Sequence, residues 1–268
     1  MSKVTDEPAL AAPAFSTRER DRAYWRSLDE IVRVRGYSNE DLLRNWPAYA
    51  MRRDTSRFLA HYELFKLIVD LPGNVLEFGT FRGASLFTWT KFIEMFAPSD
   101  RHRLVFGFDS FEGLQNFRPQ DAAGPDGKVT TDFNPLLFPG ALKSTAFEIE
   151  TLCAMHNSDS LLLNAERTRV VSGDIRESLP RFIAENPGLK VSLIHIDVDL
   201  YEPTKITLEQ LWPFVVTGGV VVLDEYAFLE WPGETQGVDE FIASLPPAER
   251  PAIKKFPFAQ SPCYFIKK

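Results

Sequence analysis

The sequence predicts an α/β fold: a doubly wound, Rossmann-like sheet that is mostly parallel, with one antiparallel strand at its end. From residue 74 onward, strand patterns alternate with helix patterns, which places parallel strands between layers of helices. Two apolar runs, Val191–Ile196 and Val220–Leu223, each end abruptly in acidic residues, as buried strands that open onto a site do. Two late runs, at 252–258 and 263–266, flank a short turn and predict the antiparallel strand.

The chain divides into three predicted regions. Residues 1–18 are rich in Ala and Pro and predict a flexible tail. Residues 19–72 predict an N-terminal helical cap, which either covers the sheet or serves as a lid or dimer arm. We expect two short helices before residue 50, one of them starting at Ser38, and a helix with an apolar stripe at 56–71. Residues 73–268 predict the main domain.

The main domain is expected to alternate strands and helices, with one interruption. The predicted strands are 74–78, 104–108, 169–171, 191–196 and 220–223, and the predicted helices are 83–96, 145–156, 175–185, 204–215 and 236–245. Residues 111–143 form a long irregular insertion, and loops of this length are usually functional or disordered. We interpret the insertion as facing the substrate, with a plain surface insertion as the alternative.

Composition limits the classes of function. A net charge of −7 and a pI of about 5.3 argue against a nucleic-acid partner, because phosphate binding needs a basic face. No apolar run approaches the ~20 residues that span a membrane. The N-terminus lacks the apolar core of a signal peptide, and the two cysteines form no motif. A cytoplasmic protein is therefore predicted.

Three acids are predicted to meet at the ends of neighbouring strands. Asp197 follows one apolar run, and Asp224 and Glu225 follow the next. Ligands of open parallel sheets bind at the carboxyl ends of strands, so these acids should share one crevice. Carboxylates so close together repel each other unless a hard divalent cation lies between them, and oxygen ligands favour Mg²⁺. Asp199 is interpreted as a cap of the following helix in preference to a ligand.

A second group of residues predicts the cofactor. The segment EFGTFRGAS lacks the spacing of dinucleotide and Walker motifs, but it gives a strand, a tight turn and a helix start. The helix N-terminus favours a carboxylate, and Glu77 could meet an ammonium. Asp109 is placed to accept ribose hydroxyls, and residues 172–174 could border an adenine. Together these features predict S-adenosylmethionine (SAM) in a class I SAM-dependent methyltransferase fold. The predicted cofactor-binding residues are Glu77, Gly79, Thr80, Phe81, Gly83, Ser85, Asp109, Ser110, Gly173, Asp174 and Asp197.

Four blocks of sequence resemble the macrocin O-methyltransferase family. They are EFGTFRGAS, DSFEG, IDVDLYEPT and the Gly-Gly turn that leads to Asp224, within a match from about 62 to 240. Enzymes of this family depend on SAM and magnesium and methylate sugar hydroxyls on antibiotics. The resemblance implies that Asp197 is both metal ligand and general base, and that Asp224 and Glu225 complete the metal site, although the family usually has two Asp residues there. The block WPGET at 231–235 looks closer to a branch that acts on nucleoside-diphosphate deoxyhexoses.

Other residues are weaker candidates, and other functions stay open. The candidate substrate contacts are His61, Arg82, Tyr201, Trp231 and Glu234. His195 lies within a strand and is interpreted as a packed core residue. A nucleotide-sugar oxidoreductase and a non-catalytic SAM-fold scaffold are the alternatives to a sugar methyltransferase. We expect at least a homodimer, formed through the N-terminal helices.

Overall fold

The computed structural model describes residues 19–122, 134–162 and 165–268. The predicted tail and the middle of the predicted insertion lie outside these residues. The chain forms two compact units, which divide between Met51 and Arg52. The predicted cap, residues 19–72, extends past this division by one helix, which belongs to the larger unit.

The first unit contains three helices in its described part: α1 (Glu19–Arg35), α2 (Asn39–Arg44) and α3 (Trp46–Tyr49). The start of α2 at Ser38 is confirmed, since Ser38 and Asp41 form a reciprocal capping box. The expectation of two short helices is wrong, because α1 has 17 residues. No Pro or Gly interrupts it before Gly36, whose φ of +65° ends the helix.

The second unit begins with α4 (Arg52–Ile68), and its further helices are α5 (Ala84–Phe96), α6 (Ala146–Ser158), α7 (Ile175–Glu185), α8 (Tyr201–Leu211) and α9 (Pro232–Ser244). Helix α8 begins three residues earlier than expected, because Pro203 is tolerated in a first turn. It also ends earlier, before a 3₁₀ turn at Trp212–Phe214 that contains Pro213. None of the described helices is both long and apolar enough to cross a membrane.

The strands form one mixed sheet, as predicted. They are β1 (Asn74–Phe78), β2 (Val105–Asp109), β3 (Thr168–Ser172), β4 (Val191–Ile196), β5 (Val215–Leu223), β6 (Lys254–Lys255) and β7 (Cys263–Ile266). Their order is β3-β2-β1-β4-β5-β7-β6, and β7 runs antiparallel to β5. The strand expected at 252–258 shrinks to two residues, since Pro257 has no N–H for a ladder hydrogen bond.

Helices cover both faces of the sheet. On one face, Leu76, Ile194 and Val221 belong to a core shared with helices α7, α8 and α9. On the other face, Val75 and Leu193 belong to a core shared with helices α4, α5 and α6. This alternation of neighbouring residues between two buried faces explains why the strands read as continuous apolar runs.

The sheet reverses its order between β1 and β4, and this position fixes the crevice. The chain winds from β1 out to β3 and then returns to the other side of β1. Gly79, just after β1, has a φ of +86°, and a Cβ there would lie 1.7 Å from the carbonyl oxygen of Asp197. Only glycine allows the two strand ends to approach so closely. In folds of this kind, such a switch point is where ligands bind.

Candidate functional site

Three carboxylates converge at the ends of β4 and β5. Asp197, Asp199 and Glu225 can each direct an oxygen to a common point, with the oxygens within 4.8 Å of one another. The interpretation of Asp199 as a helix cap is wrong: the N-cap of α8 is Leu200, and Asp199 is buried with a φ of +62°. Asp121 accepts the hydrogen bond from the N–H of Tyr201 instead, at 2.7 Å.

These acids hold their protons more tightly than free carboxyls do. Burial, together with the charge of Asp224, raises the pKa of Asp197 to about 6. Burial and the charges of Asp197 and Asp224 raise the pKa of Asp199 and of Glu225 well above their usual values. Crowded, partly desolvated carboxyls of this kind are relieved by a cation. The all-oxygen donor set fits Mg²⁺ better than zinc.

Arg57, on α4, joins the two strand ends. Its Nη2 atom lies 2.8 Å from Oδ2 of Asp197 and 3.0 Å from Oδ1 of Asp224. Asp197 and Asp224 are therefore brought together as predicted, but the positive group between them is the guanidinium of Arg57. Sequence reasoning missed Arg57, although it precedes His61 by one helical turn and therefore lies on the same face of the helix.

A buried ionic chain runs beneath the acids. His195 lies between Oε2 of Glu77, at 3.0 Å, and Oδ1 of Asp224, at 3.4 Å, and its side chain is fully buried. Although burial alone would lower it, the two carboxylates raise the pKa of His195 to about 10, which favours the imidazolium, while the N–H of Trp89 also points to Nδ1 from 3.3 Å. His195 is thus buried as predicted, but it is an ion-pair partner and not an apolar core residue.

These buried ionic contacts also affect two candidate residues, Glu77 and His61. Glu77 has no exposed surface and its Oε2 pairs with His195, but its Oε1 has no hydrogen-bond partner among the described residues and is the oxygen left for the predicted ammonium. His61 is buried against the rings of Trp89 and His195, at centroid distances of 4.7 and 5.3 Å. Burial and the neighbouring His195 lower the pKa of His61, which is therefore neutral and lies behind the acids.

Two residues that were predicted to meet substrate are buried in the structure. Glu234 has no exposed surface, and its Oε1 accepts a hydrogen bond from the N–H of Glu225 at 3.0 Å. Trp231 packs in a small apolar cluster with Leu114 and Leu200. Both side chains thus support the site from within, and neither presents a free surface to a substrate.

The cofactor side of the crevice is organised by Asp109. Its Oδ2 accepts from the N–H of Phe81 at 2.9 Å, and its Oδ1 accepts from the N–H of Phe111 at 2.7 Å. Phe81 and Phe111 both have left-handed backbones, with φ of 45° and 60°. One carboxylate therefore holds the turn after β1 and the loop after β2 in unusual conformations, as ligand-binding loops often are.

The remaining residues of the first loop form its frame. Thr80 and Ser85 are buried, and Thr80 Oγ1 lies 3.5 Å from the carbonyl oxygen of Phe108. Gly83 is the N-cap of α5 with a φ of +80°, and a Cβ there would strike the ring of Phe87. The structure therefore places the predicted tight turn and helix start where the sequence put them.

The loops after β2 and β3 contain the other cofactor candidates. Ser110 Oγ accepts a hydrogen bond from the N–H of Glu112 at 3.2 Å. Asp174 is the N-cap of α7 and also pairs with Arg176, and Gly173 precedes it with a φ of +121°. Both loops lie at the carboxyl ends of their strands, in line with the turn after β1.

Two further candidates are occupied by local partners. The hydroxyl of Tyr201 donates to Glu240 at 2.6 Å and accepts from Lys205 at 3.0 Å, so its ring joins α8 to α9. Arg82 is half-exposed, and its Nε lies 3.8 Å from Glu148. Arg82 is thus accessible to an anion, whereas the hydroxyl of Tyr201 is engaged.

A comparison with protein families finds one that covers most of the chain. The profile of the family described as Macrocin-O-methyltransferase (TylF) matches residues 39–244. This range includes α4, both acidic strand ends and the loop that Asp109 holds.

Two curated proteins are similar in sequence. The chain is 28% identical, over 69% of its length, to an 8-demethyl-8-(2,3-dimethoxy-alpha-L-rhamnosyl)-tetracenomycin-C 4'-O-methyltransferase of Streptomyces olivaceus, of which 66% is covered, just under two thirds. It is also 28% identical, over 75% of its length, to a demethyldecarbamoylnovobiocin O-methyltransferase of Streptomyces niveus, of which 71% is covered.

Solved structures of one further protein are similar along nearly the whole chain. The crystal structure of CalS11, a calicheamicin methyltransferase, has 27% identity and a TM-score of 0.81, and 94% of each chain is covered. The apo structure of CalS11, described as a TDP-rhamnose 3'-O-methyltransferase, has 26% identity and a TM-score of 0.73, with coverage of 94% of this chain and 96% of that one.

Proposed function

The chain belongs to the macrocin O-methyltransferase family, and we propose that it transfers the methyl group of SAM to a hydroxyl of a deoxysugar, with Mg²⁺, in the biosynthesis of an antibiotic or other secondary metabolite. The observation that carries the proposal is the meeting of Asp197, Asp199 and Glu225 at the switch point of the sheet, directly beside the turn at Gly79. Metal ligands and a cofactor loop in one crevice are what such a reaction requires.

The metal and the cofactor are assigned to different sides of the crevice. Mg²⁺ would be held by Asp197 and Glu225, with Asp224 as the sequence predicts or Asp199 as the observed cluster favours. SAM would lie over the turn at 79–85 and against the loop that Asp109 holds. When bound, the cation supplies positive charge that stabilises a developing alkoxide.

Asp197 is the proposed general base. Its pKa is raised to about 6 by burial and by Asp224, so it is a stronger proton acceptor than an ordinary Asp, yet is ionised at neutral pH. The acceptor hydroxyl passes its proton to Asp197 while its oxygen forms a bond to the methyl carbon. The bond from that carbon to sulfur breaks at the same time, and its electron pair stays on sulfur. The protein mainly has to align the three atoms.

The named activities of the relatives support a sugar acceptor. The name of CalS11 contains a nucleotide-linked rhamnose, TDP-rhamnose. The name of the tetracenomycin enzyme contains a rhamnosyl group attached to tetracenomycin C. We therefore propose a deoxysugar that is carried by a nucleotide or by an aglycone.

A panel assay tests the proposal. The protein is incubated with SAM and Mg²⁺ and with nucleoside-diphosphate deoxysugars or glycosylated macrolides, and mass spectrometry follows the gain of one methyl group. We expect methylation of at least one deoxysugar, lost when EDTA is added. Thermal stabilisation by NAD and not by SAM would instead indicate an oxidoreductase, and would overturn the proposal.

We also propose a cytoplasmic homodimer that forms through the N-terminal helices. Large apolar side chains there are exposed, among them Val34 and Leu43, at 66% and 72% of their surface. Exposed apolar side chains that lie together favour a protein partner over water. Light scattering that gives the mass of a monomer for a fully active protein would exclude the dimer.

A further inference from the structure

The guanidinium of Arg57 contacts Asp197, which belongs to the proposed metal cluster, and Asp224, which the sequence predicts as a further ligand. Its Nη2 atom makes short contacts of 2.8 Å to Asp197 and 3.0 Å to Asp224, which belong to different strands. These distances are those of charge-assisted hydrogen bonds. A single nitrogen therefore bridges the ends of β4 and β5, as a cation shared by these acids would.

Two cationic groups contact Asp224, and they differ in how easily they can leave. His195 is fully buried between Asp224 and Glu77, so its departure would leave the buried carboxylate of Glu77 without its partner. The side chain of Arg57 is 40% exposed and begins from a helix at the edge of the crevice. Arg57 can therefore move its charge into water, whereas His195 cannot.

The charge balance gives Arg57 its role. Asp197, Asp199 and Glu225 lie together, Asp224 is close to them, and Glu234 lies beneath. Without a metal, this group of acids needs positive charge, which Arg57 supplies to two of its members. With a metal in place, the guanidinium would face a second cation on the same carboxylates, and like charges at such distances repel strongly.

We propose that Arg57 is an internal counter-ion that competes with the divalent cation for Asp197 and Asp224. The inference rests on the proposed metal site and concerns the metal-free protein. In that state Arg57 holds the two strand ends together, and binding of the cation displaces it. Arg57 therefore weakens metal affinity while it stabilises the empty site, so its removal should change these two properties in opposite directions.

Metal titrations of the full chain, without SAM or acceptor, test the competition. Free Mn²⁺ is followed by electron paramagnetic resonance and Mg²⁺ by competition against Mn²⁺, for wild type, Arg57→Met and Arg57→Lys. The control is Arg53→Met, which removes an exposed arginine of the same helix. Thermal unfolding of each metal-free protein is measured in parallel.

We expect Arg57→Met to bind Mn²⁺ ~10-fold or more tightly than wild type. Its metal-free melting temperature should fall, and added metal should restore more stability than in wild type. Arg57→Lys, which keeps the charge, should lie between the two, and Arg53→Met should match wild type.

Unchanged or weaker metal binding by Arg57→Met would overturn the inference. If metal binding is unchanged and only the KM for the acceptor rises, Arg57 is a substrate contact instead. If neither wild type nor Arg57→Met binds Mn²⁺, the proposed competition and the proposed metal site are both wrong. If wild type needs Mg²⁺ for methyl transfer but Arg57→Met binds it no better, the inference alone fails and the proposed function stands.

Discussion

Glu234 Oε1 accepts a hydrogen bond from the backbone N–H of Glu225 at 3.0 Å, and it does so from a fully buried position. Glu234, in the first turn of α9, thus holds the backbone of Glu225, the second acid after β5. Oε2 of Glu234 has no hydrogen-bond partner among the described residues. Burial and the charge of Asp224 raise the pKa of Glu234 well above its usual value, which suits a protonated acid.

The first prediction follows from this contact. Glu234→Ala should lower stability by ~1–3 kcal/mol, because it leaves the N–H of Glu225 buried without an acceptor, and it should weaken Mg²⁺ binding. Glu234→Gln keeps an acceptor oxygen, so it should lower stability and weaken Mg²⁺ binding much less. Denaturant unfolding and metal titration measure the two effects. Glu230→Ala, an exposed neighbour, is the control, and equal behaviour of the Ala and Gln variants would contradict the prediction.

The second prediction concerns the general base. Asp197→Asn should reduce methyl transfer by ~10²–10⁴-fold, because the amide cannot take the proton of the hydroxyl. SAM should still bind, since the turn at Gly79 is unchanged, and equilibrium dialysis with labelled SAM checks this. The exposed Glu185→Gln serves as the matched acid-to-amide control. An Asp197→Asn enzyme with wild-type turnover would remove the role given to Asp197.

The third prediction is the pH dependence of the buried imidazolium. The pKa of His195 is raised in the folded state to about 10, so its stabilising contribution is complete below its unfolded pKa of ~6.5 and is lost as the pH rises through about 10. His195→Gln should therefore cost ~3–5 kcal/mol at pH 6 and progressively less toward pH 10. Urea unfolding at several pH values measures the difference. A cost that does not change with pH would mean that the ring is neutral.

The fourth prediction is a pH dependence of metal binding. Because the pKa values of Asp197, Asp199 and Glu225 are raised, some of these carboxyls carry protons that a cation must displace. Mg²⁺ affinity should fall as the pH falls from 8 to 5, by up to ~10-fold per pH unit for each proton released. Calorimetry in buffers of different ionisation enthalpy counts the protons. Binding without proton release would show that the acids are already ionised.

The fifth prediction tests the close approach of β1 and β4. Gly79→Ala places a Cβ against the carbonyl of Asp197 and forces a left-handed backbone on alanine, so it should cost more than ~1 kcal/mol of stability and most of the activity. Gly188→Ala is the control, because a Cβ there meets no atom within 4 Å. Similar losses in both variants would mean that the switch point is not the sensitive position.

Much of the fold and part of the site could be predicted from local sequence. Asp109, Asp197 and Asp224 each end an apolar run, and residues in that position lie at the same edge of a parallel sheet. The limits of β1, β4 and α7 were predicted to the residue, because turn residues and cap residues border each of them.

The rest depends on tertiary contacts that leave no local signal. Arg57 meets Asp197 across 140 positions of sequence, and the only local mark of it in α4 is its spacing of one helical turn from His61. A histidine inside an apolar run, such as His195, looks like a core residue until its neighbours on adjacent strands are known. Asp199 resembles a helix cap by position, and only the observed start of α8 shows otherwise.

The insertion is fastened on both sides of the segment from 123 to 133. Before it, Asp121 binds the N–H of Tyr201, and Gly233 leaves room for that carboxylate; after it, Asn134 donates to the carbonyl of Glu230 at 3.0 Å. Both hydrogen bonds are made to backbone atoms, at the start of α8 and just before α9. The described ends of the insertion are therefore tied to α8 and α9, and through α9 to Glu234, which supports Glu225.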